Sequence, residues 1–277
     1  MSIIPIHLPT EAIRDLSDRA IFRVTGADAE RYLNGQVSQD VRLATEENAV
    51  YSIVANFKGK LEGDCYIRRY DGDIWLDTCA SQRESLFARL DRYLIADDAE
   101  IIDETSNYIL YHQIGVITHD FPHWECNRYG EPGRDYLTPV TENLPLTFKE
   151  TEWEHLRITN MIPRWGYELT GDVLPPEAKL EERSISYTKG CYTGQEVISR
   201  MKSAGKTNRH LVQFEFDQEI EIPCELYISS DAEGKAGAEI TSACEVEGKW
   251  IGLGYRTRKA EGSSVFYDSC GNSVTVI

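Results

Sequence analysis

The stretch that most restricts the fold lies late in the sequence. Beyond Lys206 the chain breaks into short extended runs at 210–216, 225–229, 249–256, 264–267 and 273–277, separated by turn residues. Runs this short bury too little to stand alone, and no helical period interrupts them, so they must pair edge to edge as a small antiparallel barrel or sandwich. Within them, Ile251-Gly252-Leu253-Gly254 is no dinucleotide fingerprint, since it lacks a third glycine and a βαβ setting. It reads instead as a strand against which another backbone packs closely.

The first third mixes two periodicities, as an α+β unit does. Residues 19–24 are extended; Gly26-Ala27-Asp28 opens a short helix through Leu33, closed by Gly35. Runs at 65–70 and 73–78 flank Asp71-Gly72, a dipeptide that supplies the positive backbone angles of a tight hairpin. Ser81 and Glu84 form a capping box, and Leu86, Leu90, Tyr93 and Leu94 make an apolar stripe that should pack on the hairpin sheet. From 101 to 153 weaker β-like runs such as 108–117, broken by the turn-rich 128–133, predict a second, smaller α+β unit.

Several function classes are excluded early. A chain of 277 residues fits two or three packed units, and no stretch approaches the roughly 20 apolar residues of a membrane span. The opening MSIIPIHLPTEAIRD has no basic segment followed by an apolar one, so a cytoplasmic location is expected. A formal net charge of −17 repels phosphate backbones, and direct nucleic-acid binding is not expected. Seven cysteines with no CxxC pair, and six histidines with no HExxH, predict no disulfide framework and no intrinsic metal or cluster.

The most informative stretch is KGCYTGQEVISR, residues 189–200. Thr193 and Glu196 fit a capping box at a helix start, and Tyr192 with Val197 then fits a hydrophobic staple. Cys191 falls just outside that N-terminus and near Lys189, a setting that favours thiolate over thiol. The same residues would equally begin a purely structural helix.

This string resembles the signature K-G-C-Y-x-G-Q-E-x-x-[AS]-R of the YgfZ-like branch of the folate-binding, aminomethyltransferase-related proteins. The flanking VTGADAERYLNGQVSQDV (24–41), NFKGKLEGD (from 56), LRITNMIPRWGYEL (156–169) and LPPE (174–177) resemble the same family. The resemblance implies a three-domain ring around a central channel, with a C-terminal antiparallel β-barrel. The expected division is an N-terminal α+β domain at 1–105 with 160–205 packing back on it, a small domain at 106–159, and the barrel at 206–277. The implied ligand is tetrahydrofolate or a folate derivative. The implied role is support of the assembly or repair of iron–sulfur enzymes, tRNA-modifying radical enzymes among them, through Cys191 and without conventional turnover. Such enzymes and A-type cluster carriers are the implied partners. Two alternatives stand beside it: a tetrahydrofolate-dependent one-carbon transferase or demethylase, and an acidic scaffold that binds a cluster carrier. Where the aminomethyltransferases carry an acidic pair this chain keeps only Asp64, and it has Thr159 in place of their Glu. Those departures speak against glycine cleavage.

The remaining candidates are weaker in sequence. Lys60 suits the glutamate tail of a folate or a solvated turn; Arg157 suits a ligand carboxylate or a surface position. Gln195, with an amide that donates and accepts, suits a pteridine edge, and Glu196 completes the expected site of Lys189, Cys191, Tyr192, Gln195, Glu196, Lys60, Arg157 and Asp64. Arg200, in the last turn of its helix, is explained by the helix dipole.

Overall fold

The computed structural model describes residues 11–115, 119–205 and 207–277. The reading of the first ten residues, the end of the 108–117 run and the boundary residue Lys206 lie outside the described residues.

Strands β1 (Glu11–Asp15) and β2 (Arg19–Thr25) are followed by helix α1 (Ala29–Gln36), strands β3 (Val50–Ala55), β4 (Leu61–Tyr70) and β5 (Asp73–Cys79), helix α2 (Arg83–Asp91) and strand β6 (Glu100–Asp103). Five of these strands form one antiparallel sheet in the order β3-β4-β5-β2-β6. The predicted hairpin joins β4 to β5, and Asp71 and Gly72 take φ of 51° and 81°, as a primed turn requires. Leu86 and Leu90 of α2 pack with Phe22, Ile67 and Leu76 of the sheet, whereas Tyr93 is exposed.

Two helix boundaries differ from expectation. Helix α1 runs through Gly35 and ends at Gln36, so Gly35 is interior rather than a stop. At α2 the N-cap is Gln82 with no side-chain cap, because a 3₁₀ turn at 80–82 precedes it and the Ser81 hydroxyl meets the Cys79 thiol at 3.2 Å.

Strands β7 (Tyr108–Gly115), β8 (His123–Cys126) and β9 (Gly133–Pro139) form a second sheet, in the order β1-β7-β9-β8. Strand β1 therefore pairs far along the chain, Ile13 opposite Gln113. Leu16, Ile21 and Trp75 pack against Leu110, Trp124 and Leu137 between the two sheets. Beside this apolar contact lies a buried ionic one: Asp77 of β5 meets Arg19, Arg68 and Arg128, and Asp135 of β9 meets Arg68, Arg128 and His112.

Helix α3 (Glu150–Thr159), a long loop, and helices α4 (Glu181–Ser184) and α5 (Gln195–Ala204) lead to the last sheet. That sheet contains β10 (Arg209–Phe216), β11 (Cys224–Leu226), β12 (Ala238–Val246), β13 (Lys249–Thr257), β14 (Val265–Tyr267) and β15 (Ser273–Val276), ordered β11-β12-β13-β10-β15-β14. A single antiparallel bridge between Tyr227 and Tyr267 joins its two edges, so the sheet curls into the expected barrel. Gly254 earns its place here: a Cβ would fall 2.0 Å from the Glu239 carbonyl of β12. Tyr51, Ile53 and Leu61 of the first sheet, Ile158, Leu169 and Ile198, and barrel residues Leu211, Leu253 and Tyr255 share one core, which fixes the barrel against the rest. Among the described residues no helix is long and apolar enough to cross a membrane.

Candidate functional site

A cavity of about 630 Å³, its solvent-open mouth included, lies where the elements converge. Strand β1 supplies Arg14 and the start of β2 supplies Arg19, and β3 and β4 supply Tyr51, Asp64 and Tyr66. Cys79 comes from the end of β5, Arg128 from the β8–β9 turn, Arg157 from α3, Arg164 and Trp165 from the following loop, and Arg183 from α4.

Most of the guanidinium groups are already paired. Arg19 and Arg128 hold Asp77, Arg14 meets Glu150 at 2.6 Å, and Arg164 meets Glu154 at 3.5 Å. Arg157, buried, meets Glu154 and Glu168 and donates to the Ser242 hydroxyl at 2.6 Å, tying α3 to the barrel. Arg183 has no carboxylate partner among the described residues; it donates to the Tyr66 hydroxyl at 3.2 Å and the Asn127 carbonyl at 3.3 Å.

Asp64 stands apart chemically. Its side chain is buried, Oδ2 accepts from the Tyr51 hydroxyl at 3.2 Å, and Oδ1 has no partner. Burial raises its carboxyl above the ordinary range, with Asp77 adding to the rise while Arg19, the Tyr51 hydroxyl and Arg128 oppose it. A buried carboxyl oxygen without a donor is costly unless something else supplies one. The cavity thus offers one acceptor that lacks a donor and one cation that lacks a carboxylate.

The 189–200 segment builds a different place. Gly194, not Thr193, is the N-cap of α5, with φ 85° and no side-chain cap, so the predicted capping box does not form. The cause is close packing: a Cβ on Gly194 would lie 2.5 Å from the Asn56 carbonyl, and one on Gly59 would lie 3.0 Å from Val197. The helix start is pressed against the 56–60 turn, and only glycine permits it. Glu196, freed from capping, pairs with Arg200 at 2.7 Å on the surface.

Lys189 turns inward. Its ammonium donates to the carbonyls of Asn34, Val37 and Gln39 at 2.6, 2.7 and 2.8 Å, as a buried charge requires. Burial pushes it down to about 8, opposed by Asp40. Cys191 is exposed, Tyr192 is buried with its hydroxyl unpartnered, and Gln195 is half-buried. Burial pushes the Tyr192 phenol up to about 12. Lys60 pairs with Asp172 at 2.7 Å on the surface.

Of the residues singled out in sequence, Asp64 and Arg157 line the cavity; Lys189, Cys191, Tyr192, Gln195, Glu196 and Lys60 do not. Arg183, Tyr51 and Tyr66 were not legible as site residues, because each is an ordinary strand or helix position until the fold brings it there. His112, Cys126 and Asp135 have ligating atoms within 4.8 Å of one another, but Arg68 and Arg128 already occupy the Asp135 carboxylate.

No protein-family model matches the chain. Among solved structures it superposes on the glycine cleavage system aminomethyltransferase T of Bartonella henselae with a TM-score of 0.78 and 17% identity, over 96% of this chain and 85% of that one. The fold is therefore the one seen in glycine-cleavage aminomethyltransferases. Among curated proteins, "tRNA-modifying protein YgfZ" of Escherichia coli O7:K1 is 27% identical over 243 residues, 75% of this chain and 74% of its own length. The protein of the same description in Escherichia coli O157:H7 matches equally, and an uncharacterized protein of Haemophilus influenzae is 29% identical over 84% of both chains. By sequence the chain is similar to these YgfZ proteins.

Proposed function

We propose that this chain is a cytoplasmic, folate-binding accessory protein that supports the assembly or repair of iron–sulfur enzymes, tRNA-modifying enzymes among them, with Cys191 as its reactive group. The description of its Escherichia coli relatives as tRNA-modifying and the aminomethyltransferase fold support a folate-related accessory role. The observation that carries the ligand assignment is the unpartnered Oδ1 of Asp64 in an arginine-lined cavity. A pterin carries adjacent N–H donors on its aminopyrimidine edge, which suit a carboxylate, and a folate ends in carboxylates, which suit Arg183. When bound, tetrahydrofolate supplies nitrogens that accept one-carbon units. In this chain Asp64 would orient the ring and Arg183 the tail, while Tyr51 fixes the Asp64 carboxyl through its hydroxyl. Cys191, exposed and outside the cavity lining, is open to a partner such as a cluster enzyme or an A-type carrier.

A second reading, a tetrahydrofolate-dependent one-carbon transferase or demethylase, draws on the same raised Asp64 carboxyl, which would then move a proton as well as hold the ring. Titration with tetrahydrofolate, followed by the fluorescence of Trp165 in the cavity, tests the site. Asp64→Asn should weaken binding at least tenfold, about 1.4 kcal/mol. The same variant should unfold at higher urea at pH 7, because a carboxyl raised by burial costs stability once pH exceeds its folded value. Unchanged affinity in a folded Asp64→Asn protein would remove the assignment. Complementation of a strain lacking its own YgfZ-like protein, comparing wild type with Cys191→Ala, separates the readings: the accessory role requires rescue by wild type and loss in the variant.

A further inference from the structure

We propose that Cys79 is a site of mixed-disulfide formation with an anionic, peptide-sized thiol of the glutathione kind, and that the bound group closes the cavity to folate. The closure rests on the folate reading above; the site does not. Among the cysteines, Cys65, Cys126 and Cys244 are buried, and Cys191 and Cys270 are exposed, yet none of these lines the cavity. Half-buried Cys79 does.

Strand alternation explains its place. Arg19 faces Cys79 in the β2–β5 ladder, and Tyr66 faces Asp77 in the β4–β5 ladder. Cross-strand partners share one face of a sheet, and so do residues two apart on one strand. Arg19, Asp64, Tyr66 and Cys79 therefore stand on a common face, and all four line the cavity. Cys79 ends β5, where its Sγ meets the hydroxyl of exposed Ser81 at 3.2 Å. The thiol thus sits at the rim, between solvent and the arginine-lined interior, where a disulfide can reach it.

Charge selects the reagent. A glutathionyl group carries carboxylates at both ends, an ammonium and peptide amides. Arg183 has no carboxylate partner among the described residues, and the buried Nε atoms of Arg14 and Arg164, on the same lining, have no hydrogen-bond partner. These suit the carboxylates. Exposed Asp18 at the rim suits the ammonium, and the unpartnered Oδ1 of Asp64 suits an amide N–H. Guanidinium groups around an opening also raise the local concentration of an anionic reagent. In the step itself the Cys79 sulfur, as thiolate, attacks one sulfur of glutathione disulfide. A new S–S bond forms as the old one breaks, and the departing glutathione thiolate takes up the proton that Cys79 released. The Cys79 sulfur is oxidised and the departing sulfur reduced, so no other oxidant enters. The tripeptide then occupies space that a folate would take, and a thiol reductant reopens the cavity.

The experiment incubates full-length protein with glutathione disulfide, follows the adduct at each cysteine over time by mass spectrometry, and then titrates tetrahydrofolate. A glutathionyl group on Cys79 is expected, with affinity for tetrahydrofolate about tenfold weaker and restored by dithiothreitol. Cys79→Ser should show one affinity before and after the disulfide, although its exposed cysteines still react. Arg183→Gln should slow modification of Cys79 about tenfold and leave the rates at Cys191 and Cys270, the internal standards, unchanged. The uncharged bis(2-hydroxyethyl) disulfide should show no dependence on Arg183. The proposal is overturned by an unmodified Cys79 in protein whose exposed cysteines react, by a glutathione rate indifferent to Arg183, or by an adduct on Cys79 that leaves the affinity intact. Reduced protein that does not bind tetrahydrofolate, yet is modified at Cys79 in an Arg183-dependent way, would overturn the folate reading and uphold the site.

Discussion

At the scale of single residues, Lys189 shows how a motif position can be structural and informative at once. Sequence spacing paired it with Cys191 as a source of positive charge, yet its ammonium is engaged by three carbonyls of the 34–39 segment. Lysine is suited to this work, since three N–H donors on one nitrogen meet three acceptors from one loop. Lys189→Met should leave those carbonyls without donors and cost about 3 kcal/mol in urea unfolding. A loss below about 1 kcal/mol would mean that water replaces the ammonium. Asp64 was found in sequence for a different reason, as the surviving member of an acidic pair, and its buried, half-satisfied carboxyl is what the sequence could not show. Burial of that kind is set by segments converging from across the chain, and no local pattern encodes it.

At the scale of elements, turns chosen by backbone angle were legible, and helix starts chosen by tertiary contact were not. Asp71-Gly72 declares its hairpin because the φ values it needs are intrinsic to those two residues. The T-x-x-E pattern at Thr193 promised a cap, but contact of Gly194 with Asn56 moved the helix start by one residue. Two alanine substitutions separate these influences. Gly194→Ala needs both a positive φ and space that the Asn56 carbonyl occupies, and should cost about 2 to 3 kcal/mol by thermal or urea melting. Gly190→Ala meets no atom within 4 Å and should change stability by less than about 0.5 kcal/mol. Equal effects of the two would contradict the packing account. Strand β12 was missed altogether: its register shifts between Ile240 and Ser242, and its buried positions, Ala238, Ile240, Ser242, Cys244 and Val246, include small and polar residues. Small and polar residues give a weak hydrophobic signal.

At the scale of the whole molecule, the two N-terminal sheets are joined by charge as well as by apolar contact, and this sets a response to acid. Burial opposes ionisation of Asp77, but Arg128, Arg68 and Arg19 prevail and hold it down to about 2; the Asp135 carboxyl is likewise held well below the usual range, chiefly by Arg128 against burial. Burial lowers His112, with Asp135 opposing. A depressed carboxyl contributes stability that is present above its unfolded value near 3.8 and is lost as pH falls toward 2. A depressed imidazole binds its proton more readily when unfolded, so its contribution declines as pH falls through about 6.5. Urea midpoints measured from pH 8 to pH 3 should therefore be flat above about 7, decline gently below 6.5, and fall steeply below 4. His112→Asn should weaken the gentle phase, to which His155 and His210, also lowered by burial, contribute as well; an unchanged gentle phase in the variant would show that His112 takes no part.

Strand β1 closes the second sheet by pairing with β7, with Ile13 opposite Gln113. During synthesis this separation becomes a delay. At about 5 to 20 residues per second, the first strand waits roughly 5 to 20 s for its partner to be translated. For that interval a strand with unpaired amides trails from the growing chain, open to any neighbouring strand edge. Slower translation between the two strands lengthens that exposure, so the yield of native protein is tied to codon choice in a stretch that forms no part of the second sheet.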